Sequence, residues 1–329
     1  MKTPCFLQID HGDPAAWRAE LIHALCAETA SIAPKHFYDA LGARLFSAIT
    51  ELPEYYPTRT EAAIFARHGE AMAAAAAGMG GASTWVDLGA GNCEKAARLF
   101  ALFGVQRYVA VDISVDYLAH ALEHLQRRHP AMDLIGIGMD FSRRLVLPAQ
   151  SGDGPRLIFY AGSSIGNFDP AESLRLLLQM HQAAQGGALL IGVDLAKPAD
   201  ILESAYDDSL GVTAAFNRNL LLHVNRLLGS DFRLDDWRHV AFFNRTASRI
   251  EMHLEANRES TVRWTGGERR FAKGQRIHTE NSYKWRVADF AELLAQAGFT
   301  GTRHWTDERE WFAVFLASAR RATAREPNS

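Results

Sequence analysis

From Thr84 to Leu195 short apolar runs alternate with amphipathic stretches, and this alternation restricts the fold more than any other feature of the chain. "TWVDLGAG", "RYVAVDIS", "MDLIGIGMD", "RLIFYAGSS" and "ALLIGVDL" are nearly unbroken apolar segments, the pattern of strands covered on both faces. Between them, "EKAARLFALFG", "VDYLAHALEHLQRRHP" and "PAESLRLLLQMHQAAQGG" have helical spacing, and the last opens on proline and closes on glycine. Strands joined through helical crossovers pair in parallel, so an α/β, doubly wound unit is expected.

The alternation lapses after Lys197 for nearly ninety residues. "ILESAYDDSLGVTAAFNRNLLLHVNRLLGS" reads as mostly helical, and "IEMHLEANRESTVRW" with "ERRFAKGQRIHTENSYKW" as strand-like. A helix, "VADFAELLAQAGF", then leads into a closing hairpin made of "TGTRHWTDE" and "WFAVFLASA". The expected division is therefore a nucleotide-type domain over 62–199 and 286–329, interrupted by an insertion, 200–285, that folds with 1–61 into a second, α+β domain. The tail "RRATAREPNS" is expected to fray.

Charge and cysteine content remove several classes of partner. Lys and Arg number 35 against 38 Asp and Glu, so the positive field of a nucleic-acid binder is missing. No run approaches the roughly 20 apolar residues of a membrane span, and the N-terminus lacks a signal-peptide core. Three scattered cysteines without C-x-x-C argue against a disulfide framework or a structural zinc, and the histidines show no metal-ligand spacing, so no metal is assigned. A cytoplasmic, monomeric protein with a small-molecule ligand is expected.

"VDLGAGNCEK" places Gly89 and Gly91 just after the first strand of the series, where absent side chains allow a tight turn and close approach of a ligand. A dinucleotide loop, G-x-G-x-x-G, would have its third glycine at the position held by Glu94, which weakens an NAD reading. Asp112, ending the next strand in "VAVDIS", could accept ribose hydroxyls in either an NAD or an S-adenosylmethionine (SAM) enzyme and does not discriminate. "GMDF" does: Asp140 could accept the adenine amino group while Phe141 packs on its face. With Asp87 opening the loop and Lys95 placed to meet the methionyl carboxylate, the set suits a Rossmann-like class I SAM methyltransferase. Taken singly each residue has a plain structural role, as turn glycine, helix cap or solvated charge. Cys93 reads as a small loop filler.

The chain resembles the histidine-specific SAM-dependent methyltransferases, which trimethylate the α-amine of histidine to hercynine at the start of ergothioneine synthesis. The resemblance runs from about Ile32 to Ala317 through "FYDALGARLFSAITELPEYYPTRTEA", "DLGAGNCEK", "GSSIGNFDP", "AYDDSLGVTAAFNRNLL", "RIEMHLEA" and "TENSYKW". It implies that Gly89, Gly91, Lys95, Asp112, Asp140 and Phe141 contact SAM. It further implies that Tyr55, Asn167 and Tyr206 hold the substrate's amine and carboxylate, that Glu280 and Ser282 hold the imidazole, and that Tyr38, Phe46 and Met252 wall the pocket, with Tyr38 and Tyr55 nearest the chemistry.

These residue types suit the reaction. In-line methyl transfer needs a neutral amine held at near-attack distance, and tyrosine and asparagine favour the free amine where a close carboxylate would hold the ammonium. Aromatic faces tolerate the methylated cations that accumulate. A carboxylate and a hydroxyl two residues apart on one strand present both side chains on one face, as a ring with two nitrogens requires. In "LPEYYPTRTEA" the prolines favour an extended segment whose successive residues point to opposite sides, so one tyrosine can face ligand and the other the core, and the resemblance makes Tyr55 the ligand-facing one. The alternatives are the same chemistry on another small amino acid or imidazole compound, and a non-catalytic SAM-binding regulator.

Overall fold

The computed structural model describes residues 2–9, 14–79 and 83–320. Among these the strands, in chain order, are β1 (Cys5–Gln8), β2 (Ala30–Ser31), β3 (Thr84–Leu88), β4 (Arg107–Asp112), β5 (Asp133–Gly138), β6 (Arg156–Tyr160), β7 (Ala188–Asp194), β8 (Trp237–Asn244), β9 (Arg249–Ala256), β10 (Ser260–Trp264), β11 (Gly267–Phe271), β12 (Arg276–Tyr283), β13 (Thr300–Thr306) and β14 (Phe312–Ser318). The chain divides into two compact units. One comprises the described residues of Met1–Asp10, Thr60–Leu195 and Trp285–Ser329, the other those of His11–Arg59 and Ala196–Lys284.

The first unit is built on one eight-stranded sheet, ordered β1-β5-β4-β3-β6-β7-β14-β13. Its strands are parallel from β1 to β7, and β14 and β13 close it as an antiparallel pair. Residues alternate along β3 and β4 between two apolar layers. Val86, Val109 and Val111 enter one and Trp85, Tyr108 and Ala110 the other, which is why these strands read as continuous apolar runs. The strand order reverses between β3 and β6, so ligands are expected beyond the carboxyl ends of those strands.

The N-terminal strand corrects one expectation. Residues 1–61 are assigned above to the second domain, yet β1 pairs in parallel with β5 at the edge of the large sheet, Cys5 opposite Ile135. The four-residue strand is too short for its periodicity to name a partner. The part of the tail at 321–329 lies outside the described residues.

The second unit carries a four-stranded sheet, β2-β12-β9-β8, and a β10–β11 hairpin. The helix Val212–Leu228 packs on β8 and β9, burying Phe216, Leu220, Leu221 and Val224. Asp39 caps the helix Ala40–Ile49 by accepting from the Gly42 N–H at 2.7 Å, and it also accepts from Asn219 at 2.8 Å. Helix Tyr56–Gly78 begins on the second tyrosine of the pair, with Pro57 in the first turn, where a missing N–H costs nothing. The pair therefore diverges because the chain turns into a helix at Tyr56, and not by strand alternation. Both rings are buried.

Candidate active site

In the first unit the glycine loop has the backbone that its sequence requires. Gly89 (φ 70°) and Gly91 (φ 53°) occupy the left-handed region, and so does Cys93 (φ 61°), a buried residue whose thiol burial pushes well above the ordinary range. A side chain added at Gly89 would come into contact with the ring of Phe141, 4.0 Å away. Phe141 thus reaches the loop from the end of β5 and stands edge-on to Tyr160.

Asp112 ends β4 and binds the loop directly. One carboxylate oxygen accepts from the Gly91 N–H at 2.9 Å and the other from the Ser114 N–H at 2.8 Å. Burial pushes its pKa above the ordinary carboxylate range, while these N–H groups pull it back. Asp140, buried at the end of β5, accepts from the Ser142 hydroxyl. Asp87 is buried within β3, accepts from the Tyr108 hydroxyl at 2.6 Å, and has its pKa raised by burial to about 7. Gly89, Asp112, Asp140 and Phe141 therefore gather at the carboxyl ends of three adjacent strands, where a nucleoside can lie against backbone and carboxylates.

Lys95 has a partner that the sequence did not disclose. Its ammonium lies 2.6 Å from Glu61 Oε2, and Glu61 Oε1 accepts from the Gly162 N–H at 2.9 Å. Glu61 is fully buried, in space left by the absent side chain of Gly192. The carboxylate ties helix Tyr56–Gly78 to the glycine loop and to the turn after β6. An interaction between positions 34 apart leaves no periodic trace.

Asn167 also belongs to the first unit, ending the 3₁₀ turn Ser164–Asn167. Asp169 follows and forms a capping box with Glu172 at the start of helix Pro170–Ala183, which fixes the length of the turn.

The second unit brings the remaining candidates together. Tyr38 stands edge-on to Phe46 (5.7 Å between centroids), Phe46 to Tyr55 (6.2 Å) and Tyr55 to Tyr206 (6.2 Å), giving a continuous aromatic wall. Gly42, in the helix that carries Phe46, lies so close to the carbonyl of Phe37 that a methyl there would run into it. Gly42→Ala is expected to cost about 1–3 kcal/mol of stability. Urea unfolding checks the effect, and an unchanged midpoint would show that the Phe37–Gly42 contact is dispensable.

Beyond Tyr206 the wall meets β12. Glu280 lies opposite Met252 of β9, so both project from one face, and Ser282 follows on that face two residues later. Glu280 is 8% exposed, receives no hydrogen bond from another described residue, and has its pKa raised by burial to about 7, with Lys284 pulling it down. Tyr206 Oη lies 2.7 Å from Ser282 Oγ, and the Lys284 ammonium donates to both, at 3.1 and 2.8 Å. Lys284 is not among the residues that the resemblance singles out, although Glu280, Ser282 and Lys284 continue a single period-two pattern. Among the described residues no group of three or more His, Cys, Asp or Glu side chains could hold a metal ion, and no helix is long and apolar enough to cross a membrane.

A parallel sheet whose strand order reverses at β3/β6, with a glycine loop and acceptors at the strand ends, defines a Rossmann-like class I methyltransferase fold. The chain belongs to the histidine-specific, SAM-dependent methyltransferases, whose family model matches residues 17–319. It is 40% identical over 311 residues to a histidine N-alpha-methyltransferase of Mycolicibacterium smegmatis, covering 92% of this chain and 94% of that one. Another histidine N-alpha-methyltransferase, from Mycobacterium tuberculosis, is 37% identical, with 92% and 95% covered. Ergothioneine biosynthesis protein 1 of Schizosaccharomyces pombe is 27% identical over 278 residues, 80% of this chain and 35% of that one.

Proposed function

We propose that this protein trimethylates the α-amine of L-histidine to hercynine, the step that opens ergothioneine synthesis. One observation carries the substrate assignment: Glu280, a buried carboxylate to which no described residue donates a hydrogen bond, shares a strand face with the Ser282 hydroxyl beside an aromatic wall. Buried carboxylates without donors are costly, so this one awaits a ligand N–H, and an imidazole supplies it. The names of the mycobacterial and yeast relatives support the same substrate and pathway.

SAM, when bound, supplies an electrophilic methyl group. Gly89 and Gly91 would let it approach the backbone, Asp112 would accept hydrogen bonds from its ribose hydroxyls and Asp140 from its adenine amino group, and Phe141 would pack on the base. Lys95, oriented by Glu61, retains ammonium hydrogens for the methionyl carboxylate. On the substrate side Tyr55, Tyr206 and Asn167 hold the amine and carboxylate. Tyr38, Phe46 and Met252 wall the pocket, and Tyr38 and Tyr55 relay the amine proton to water before each transfer. The amine lone pair would attack the methyl carbon, the N–C bond forming as the C–S bond breaks and the neutral thioether leaves; after the third methyl no lone pair remains, so the reaction stops at the trimethylated product.

Incubating each of the twenty amino acids with SAM and pure protein, and reading mass gains in methyl steps, tests the proposal. Histidine alone is expected to gain three. Measured SAM binding without any mass gain would instead favour a regulator. Tyr55→Phe is expected to lower the histidine turnover number about 10²-fold, within the range for losing a proton-transfer group. Unchanged kinetics would return Tyr55 to a structural role.

A further inference from the structure

Lys284 is 4% exposed, and two of its three ammonium hydrogens go to the hydroxyls of Tyr206 and Ser282. Those hydroxyls are themselves joined at 2.7 Å, so one of their two protons lies between them. The phenol is the stronger acid and the better donor, which places the shared proton on Tyr206 and makes Ser282 the acceptor. Ser282 Oγ then receives two hydrogen bonds, from Lys284 and from Tyr206, and both its lone pairs are used. Its own O–H is all that it can still offer.

Resting on the histidine reading above, we infer that Lys284 is a positioning residue that makes Ser282 a donor toward the substrate ring, so that the pocket selects neutral imidazole over imidazolium. Ionised Glu280 is an acceptor only. An acceptor and a donor on one strand face match a ring with one N–H and one bare nitrogen, whereas imidazolium brings two N–H groups and would leave one facing a donor. The charge of Lys284 opposes a cationic ring as well.

Among the described residues of β8 and β9, no carboxylate shares the face of Ser282. On this face β9 contributes Ile250, Met252 and Leu254, while its charged residues Arg249, Glu251 and His253 alternate to the other. Of β8, His239 Nε2 donates to the Tyr206 carbonyl at 2.8 Å, and burial holds it below the ordinary imidazole range. Asp207 lies 3.9 Å from His239 with an exposed side chain, and Asp208 is engaged by the N–H groups of Val212 and Thr213. Tyr55 and Tyr38 contribute the other hydroxyls of the wall.

The test compares Michaelis constants for L-histidine and for 1,2,4-triazol-3-ylalanine, whose ring offers an N–H and a bare nitrogen but stays unprotonated between about pH 5.5 and 8, where imidazole titrates. Titration of Glu280 and of the α-amine affects both compounds, so the ratio KM(histidine)/KM(triazolylalanine) isolates the ring. In the wild-type protein this ratio is expected to climb about tenfold for each pH unit below the imidazole pKa. In Lys284→Met, Ser282 regains a lone pair for a second ring N–H, and the climb is expected to vanish. A flat wild-type ratio overturns the inference even if the variant fails to fold, and so does an unchanged climb in Lys284→Met. Failure of Glu280→Ala to alter the histidine KM would overturn the histidine reading and this inference with it.

Discussion

Glu280→Ala is expected to raise the Michaelis constant for histidine by about 10²–10³-fold while leaving that for SAM within about twofold, because the loss combines a charge-assisted hydrogen bond with a ring N–H left unpaired in a buried site. The effect should fall on one substrate because Glu280 lies in the second unit, on β12, away in sequence from every residue of the glycine loop. Steady-state kinetics with each substrate varied in turn provides the check. Glu280→Gln sharpens it: the amide keeps one acceptor oxygen and removes the charge, so its histidine KM should fall between those of wild type and Glu280→Ala. Equal KM rises for both substrates in Glu280→Ala would point to a general loss of structure. No rise for histidine would remove the imidazole assignment.

Asp112→Ala is expected to weaken SAM binding by about 10²-fold or more, since it removes the proposed ribose acceptor and also orphans two backbone N–H groups that hold the loop, at about 1–3 kcal/mol for each such loss. Gly91 and Ser114 both donate to this carboxylate, so the substitution acts on preorganisation as well as on contact. Asp112→Asn separates the two, because the amide oxygen can still accept from one of the N–H groups, and it should retain more affinity than the alanine variant. Isothermal titration with SAM reads the difference. Unaltered SAM affinity in Asp112→Ala would exclude Asp112 from the cofactor site.

Much of the first unit was legible from periodicity. Strands covered on both faces must be apolar throughout, and helical crossovers must expose one face, so β3 to β7 declared themselves in the order "TWVDL", "RYVAVD", "DLIGIG", "RLIFY" and "ALLIGVD". The Glu280–Ser282 pair was legible for a related reason, since two residues on one strand necessarily share a face. Lys284 continues the same pattern, but lysine is so seldom buried that its place in the series carried no weight until the side chain was seen among hydroxyls. The fate of Tyr55 and Tyr56 was misread in its geometry: proline next to a residue disfavours helix but does not forbid its first turn, and the helix begins at Tyr56.

By itself the sequence determined the doubly wound sheet, the glycine turn with its positive-φ positions, and the pairing of a carboxylate with a hydroxyl on one strand face. Each follows from neighbours a few residues apart, where backbone geometry alone dictates direction. Only the tertiary structure decided that β1 joins the large sheet beside β5, that Lys95 is held by buried Glu61, and that Lys284 turns two hydroxyls into an ordered triangle. Those choices depend on which groups meet far apart in the chain, 34 positions for Lys95 and Glu61 and 78 for Lys284 and Tyr206, where no local period records the partner. Burial then gives them their chemical weight, because a charge or hydroxyl withdrawn from water must be satisfied by whichever group the fold has placed beside it.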